Sequence, residues 1–213
     1  MRVAIHQPDF LPYSGFWFKM VTSDAFVIAQ HDQFQKHGYQ RRVTMRDTWV
    51  SHQLVGKPAL VPISSIQVQP GWQQRLGDAI RGRYSQAHHF KTRGRELLER
   101  IGDSSGDSLV EVNLALIGVV REMLAIDTPL VFTDPPTLQG VDRLIEQTLA
   151  AGGTTYLSGA GGSAYMGPDA VGRFAAAGIS LEWSEHEHVT GDSIVTVLLD
   201  HDDPDDVIRR RHP

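Results

Sequence analysis

Cysteine is absent from this chain of 213 residues. That excludes a disulfide framework, a thiolate zinc site and a cysteine nucleophile, and it fits a reducing compartment. Uninterrupted apolar length is also lacking: the longest such stretch, Leu109 to Ile126, carries Glu111, Asn113, Arg121 and Glu122, which excludes a membrane span there. There is no basic excess, because the formal charge is -5, and a dedicated nucleic-acid binder is disfavoured. A basic leader with an apolar core is missing too, since His6, Pro8 and Asp9 break the first apolar run. A cytoplasmic protein with no membrane partner is expected. What is present is an ordinary globular composition, 41% apolar and 21% charged, without repeats or low-complexity tracts. The length predicts one domain over 1–213, with 71–126 a helical insertion or covering subdomain.

The opening segment reads as strand, turn, helix. Val3 to Ile5 form a short apolar run, and Pro8 and Pro12 remove backbone donors and fix φ, so the chain must leave a sheet there. Ser14 is placed to cap a helix over residues 14–22, and Ala25 to Ala29 is continuously apolar, as in a strand covered on both faces. Val43 to Val55 holds two β-prone runs separated by Arg46-Asp47, which predicts a hairpin. Pro58 and Pro62 make Ala59 to Val68 an edge strand or an irregular connection.

The middle is helical. Trp72, Leu76, Ile80 and Tyr84 recur at i, i+4, a second helix runs from about Phe90 to Ile101, and Leu109 to Ile126 has the strongest helical pattern. Alternation then returns: strand Leu130 to Thr133, helix Gln139 to Ala151, strand Thr154 to Leu157, helix Pro168 to Ala177 and strand Ile179 to Trp183. Asp192 to Leu199 fits strand or helix, and a short capped helix that frays is expected around Asp202 to Arg211. The fold class is α/β, with a mostly parallel sheet of Rossmann-like type.

Four groups of residues can carry chemistry. His6, Gln7, Asp9 and Tyr13 lie at a strand's C-terminal end, the edge where open α/β sheets bind ligands; the histidine can act as acid, base or phosphate ligand, or bond only a backbone carbonyl. His31, Asp32 and Gln33 end the second strand, followed by a basic loop with Lys36, Tyr39, Arg41 and Arg42, either a solvated loop or a lid for an anionic substrate. The third group is Ser158-Gly159-Ala160-Gly161-Gly162-Ser163, with Tyr165 beyond it. Its small residues let backbone N–H groups approach an anion, yet it matches neither the Walker pattern nor the dinucleotide fingerprint, because no helix is expected to open on its last glycine. Glu185-His186-Glu187-His188 is the weakest, because histidines two apart share a face only in a strand. His88-His89 reads as surface decoration.

His6-Gln-Pro-Asp-Phe-Leu-Pro-Tyr-Ser-Gly15, with Lys19, Asp24-Ala-Phe-Val-Ile28 and Gln33-Phe34, resembles the signature of the WbqC-like family. The resemblance continues through Trp72, Tyr84, Phe90 and Thr155 to Gly162 with Tyr165. That family occurs in O-antigen and natural-product gene clusters. Its members commonly carry paired aspartates before the Gln-Phe; here Gln30 and His31 stand in those places and Asp32 one position later. The first strand, turn and helix also resemble the opening unit of nucleotidylyltransferase-like enzymes such as pantothenate synthetase, which have a second histidine that this chain lacks.

The resemblance implies a small biosynthetic transferase or amide-forming ligase acting on an amino sugar or other amine-bearing metabolite. ATP or an activated acyl or aminoacyl donor is the implied co-substrate, and a charged tRNA is the one nucleic-acid partner that fits. On this reading His6, Gln7 and Tyr13 are catalytic. Asp9, Lys19, His31, Asp32, Gln33, Lys36, Tyr39, Arg41, Arg42, Ser158, Gly159, Gly161, Gly162 and Tyr165 bind substrate, and no metal is assigned. The alternatives are a non-catalytic small-molecule-binding protein and a metal-dependent enzyme using His6, His31 and Asp32.

Overall fold

The structure, a computed structural model, describes residues 1–212. Strand β1 (Arg2–His6) leads through the proline turn into helix α1 (Ser14–Val21) and strand β2 (Ala25–Ile28). The expected hairpin forms as β3 (Arg42–Met45) and β4 (Thr48–Ser51), with Arg46 and Asp47 both at positive φ in its two-residue turn. Ala59 to Val68 is irregular, with one 3-10 turn at Ile63–Ser65. Helices α2 (Trp72–Tyr84), α3 (Arg95–Asp103) and α4 (Leu109–Met123) make the helical middle. A wide π-type turn, Phe90–Gly94, stands where the start of the second helix was expected. Ser108 and Glu111 close a reciprocal capping box that starts α4.

The alternating half continues with β5 (Leu130–Val131), α5 (Gly140–Ala150), β6 (Thr155–Ser158), α6 (Ser163–Met166), α7 (Ala170–Ala176) and β7 (Ser180–Trp183). Asp192 to Leu199 resolves as helix, α8 (Ile194–Asp200), and the tail holds α9 (Pro204–Arg209). The tail is not a fraying segment: Asp203 caps α9, and Val207 and Ile208 are buried in the core.

Five strands form one all-parallel sheet in the order β5-β2-β1-β6-β7. Successive side chains of a strand point to opposite faces, and both faces are covered, which is why these strands are continuously apolar. Val3, Ile5, Val27 and Tyr156 pack with Val141 and Leu144 of α5 and Phe174 of α7. Ala4, Phe26, Ile28 and Leu157 face the other way, onto α1, the hairpin, the helical middle, α8 and α9. From β1 the chain steps to β2 on one side. After β5 it returns to β6 on the other side, so β1 and β6 flank the point where the strand order reverses.

Candidate functional site

A polar cleft of about 480 Å³ opens beyond the C-terminal ends of β1 and β6. His6, Gln7, Tyr13 and Lys19 line it from the first strand, turn and helix; Asp32 from the end of β2; Gly159, Gly161, Gly162 and Tyr165 from the segment after β6. Ser158 is fully buried at the end of β6, with its hydroxyl on the Gly159 carbonyl at 3.2 Å. The opening motif and the glycine segment therefore share one edge of the sheet.

The turn that presents His6 and Gln7 is held from several directions. Leu11 sits at φ 41°, a left-handed conformation that costs a non-glycine residue on the order of 1–3 kcal/mol. Its neighbours over-determine it: the Leu11 carbonyl accepts from Ser193 Oγ (2.8 Å), the Pro12 carbonyl from Trp17 Nε1 (2.9 Å), and the Phe10 N–H donates to the Tyr39 carbonyl (2.9 Å). Asn113 of α4 adds its Nδ2, which donates to the carbonyls of Pro8 and Gln40, each at 2.7 Å.

Ser14 does not cap α1. The capping position is Tyr13, whose side chain makes no cap bond, and the Ser14 hydroxyl instead meets His186 Nε2 at 2.8 Å. His186 also donates Nδ1–H to the Arg210 carbonyl at 2.9 Å, so both its nitrogens are engaged and the residue is a buried fastener. His188 is the member of the Glu185–His188 run that reaches the cleft, beside Tyr13.

Electrostatics separate the polar groups. Burial and the nearby Lys19 lower His6 to about 3, so the ring is neutral near pH 7. Its Nδ1 lies 3.1 Å from the Gln7 carbonyl, which can only accept, so Nδ1 carries the proton and Nε2 keeps its lone pair. Desolvation raises Asp9 to about 7 and lowers Lys19 to about 8, each shift partly offset by the other's charge. Asp9 Oδ2 stands 3.5 Å from His6 Nδ1, and Lys19 Nζ stands 3.4 Å from the Ile5 carbonyl.

One wall of the cleft is a hydrogen-bonded rail. Gln40 Nε2 donates to Gln7 Oε1, Gln7 Nε2 donates to Asp32 Oδ2 at 2.8 Å, and Asp32 Oδ1 pairs with Arg143 of α5. Arg143, Gln40, Tyr156 and Ser184 were not singled out from the sequence. No spacing marks Arg143, which reaches Asp32 across 111 positions.

The cationic side chains of the basic loop lie outside the lining, although Gln35 of the same segment is part of it. Lys36 is exposed and does not line the cleft; Arg41 donates to the His52 carbonyl; Arg42 donates to the His37 carbonyl and lies over the Trp49 ring. Tyr39 is exposed against Trp49, His31 is half-buried outside the lining, and Gln33 bridges to Pro62.

The glycine segment does open a helix, contrary to expectation: a 3-10 turn, Ala160–Gly162, runs into α6. Its glycines differ in kind. A Cβ at Gly162 would meet Met166 at 2.8 Å and Trp183 at 2.9 Å as well as Ser158 Oγ, whereas one at Gly159 or Gly161 meets open space. Gly162 serves close packing, and the other two leave the cleft wall low.

Among the described residues, the His, Asp or Glu trio close enough to share a metal ion is His88, His89 and Asp202, none of which lines the cleft. His88 is exposed; His89 is half-buried, with Nε2 2.9 Å from Asp202 Oδ1. His6, His31 and Asp32 do not converge in that way. Also among the described residues, no helix is long and apolar enough to cross a membrane.

No curated protein and no solved structure matches this chain. The family model of the WbqC-like proteins matches residues 7–190, a span that includes every lining residue described above except Ile5 and His6. The chain belongs to the WbqC-like protein family.

Proposed function

We propose that the chain is a biosynthetic enzyme that joins an activated acyl or aminoacyl group to the amine of a small metabolite such as an amino sugar, in the cleft between β1 and β6. The observation that carries this reading is position. The cleft lies at the C-terminal edge where the strand order reverses, the place where open α/β sheets bind and transform small molecules. Its volume of about 480 Å³ suits a metabolite.

In the reaction a C–N bond forms, the leaving group departs with its electron pair, and the amine loses a proton. An acceptor for that proton and donors for the developing oxyanion are required. His6 Nε2, with its lone pair retained, accepts a hydrogen bond from the amine and relays the proton to the departing group, which takes it with its electron pair; with a value of about 3 the ring does not store the charge. Gln7, held by Gln40 and Asp32, and Tyr13 orient the amine. Backbone N–H groups of the Gly159 to Gly161 segment serve as donors, the Gly162 N–H being taken by the Gly159 carbonyl at 2.9 Å. The donor substrate arrives already activated, as an adenylate, an ester or a charged tRNA.

The test is turnover of a panel of amino sugars and other small amines with activated acyl and aminoacyl donors, by the unaltered protein and by His6→Gln and His6→Ala. A loss of about 100-fold or more is expected, the usual scale for a proton-transfer residue. Unchanged turnover removes His6 from the mechanism.

A further inference from the structure

Helix α1 is apolar along nearly its whole length, with Phe16, Trp17, Phe18 and Met20 all buried. In the middle of that run stands Lys19, itself only 6% exposed. An ammonium group has three donors. Here it meets one acceptor, the Ile5 carbonyl, at the long distance of 3.4 Å, and it forms no ion pair with any carboxylate among the described residues. A buried cation left so poorly matched weakens a fold, and an apolar residue of the same length would serve the packing better.

The cleft's charges show what the lysine is available for. Charged side chains lining it are Lys19, Asp32 and Arg143, and the last two pair with each other. Lys19 is thus the uncompensated charge of the lining. The groups facing it carry no opposing fixed charge: His6 of β1 is neutral, Tyr13 and Tyr165 are phenols, and His188 lies beyond Tyr13. Asp9, behind the lining, is held up to about 7 by desolvation and so is mostly protonated below that pH.

We propose that Lys19 is the seat for a compact oxyanion of the substrate, a carboxylate or a phosphate, bound inside the cleft between α1 and the glycine segment. This deepens the reading given above, on whose cleft it rests, and it moves anion binding from the loop of Lys36, Arg41 and Arg42 to the helix. Affinity is highest below about pH 6, falls as Asp9 ionises around pH 7 and falls further as Lys19 loses its proton around pH 8.

The experiment is calorimetric titration of the full chain at pH 6.5 with inorganic phosphate and, separately, with acetate, alongside Lys19→Met, Lys19→Gln and the distant Lys91→Ala. Saturable heat with one anion but not the other identifies which oxyanion the site takes. Lys19→Met is expected to weaken binding at least tenfold without lowering the melting temperature, and Lys91→Ala to change neither. Absence of saturable binding to both anions in the unaltered protein overturns the proposal. So does unchanged affinity in Lys19→Met, or in Lys19→Gln should the methionine variant not fold, and so does a loss of affinity seen only in variants that are unfolded at the titration temperature. No donor or turnover enters this measurement. Phosphate or acetate binding in a protein that never acylates an amine leaves this inference standing and removes the proposed reaction, whereas full turnover in Lys19→Met removes this inference alone.

Discussion

Asn113, in the middle of α4, donates from Nδ2 to the carbonyl of Pro8 at 2.7 Å, 105 positions earlier in the chain. One fully buried side chain thereby fastens the turn that carries His6 and Gln7. The same amide nitrogen holds the Gln40 carbonyl, and Oδ1 meets His52 Nε2 at 3.0 Å. Because Nδ2 faces two carbonyls, Oδ1 can only accept, and His52 must be the donor.

Replacing Asn113 by Ala leaves two buried carbonyls and one ring N–H without partners. Each costs about 1–3 kcal/mol when stranded, and partial relaxation makes the three less than additive. We expect a loss of about 3 kcal/mol in urea unfolding, read as a shifted midpoint at unchanged slope. Asn113→Ala is also expected to weaken anion binding, through the displaced Gln40 and Gln7.

Acid sensitivity follows from His52. Burial lowers it from 6.5 to about 4, so the unfolded chain takes a proton over that interval while the fold does not. Stability is complete above pH 6.5 and is lost as the pH falls, by about 1.4 kcal/mol per pH unit. His6, lowered to about 3, adds a loss in the same direction, and Asp9, raised to about 7, adds a gain, since the folded carboxyl keeps a proton that the unfolded one has released. These two offset each other between pH 4 and 6.5. Because burial lowers His186 and His188 as well, unfolding measured from pH 6.5 to 4.5 is expected to follow a slope of at least one proton, and His52→Gln to reduce it. An unchanged slope in that variant contradicts the assignment.

The glycine segment offers a paired test. Gly162→Ala forces a methyl against Ser158, Met166 and Trp183, and overpacking of this kind costs about 1–3 kcal/mol. Gly161→Ala adds a methyl in open space and is expected to leave the melting temperature within about 1 °C. Equal melting temperatures for the two variants would show that Gly162 is not a packing glycine.

Periodicity and punctuation carried the elements. The helix from Trp72 to Tyr84 agrees with its i, i+4 spacing, and the hairpin turns at Arg46-Asp47. The parallel sheet follows from apolar strands alternating with helices, because a strand covered on both faces can be apolar throughout. These are local properties, set by side-chain period and by the φ limits of proline and glycine, and a linear chain displays them. The His6-Gln7 motif was legible for the same reason: two prolines mark where a strand must end.

Tertiary structure decided everything that depends on which distant groups meet. Ser14 reads as a cap by its position, yet His186, 172 positions away, takes its hydroxyl. The basic loop reads as an anion site by composition; in the fold the Nε–H groups of Arg41 and Arg42 go to backbone carbonyls, Arg42 lies over the Trp49 ring, and none of the loop's cations lines the cleft. Arg143 carries no local signal and cancels Asp32 across the cleft. Lys19 could be placed on its helix from the sequence. Its burial without an ion-pair partner among the described residues is a property of the packed core alone, because desolvation and Coulomb energy depend on distances in space.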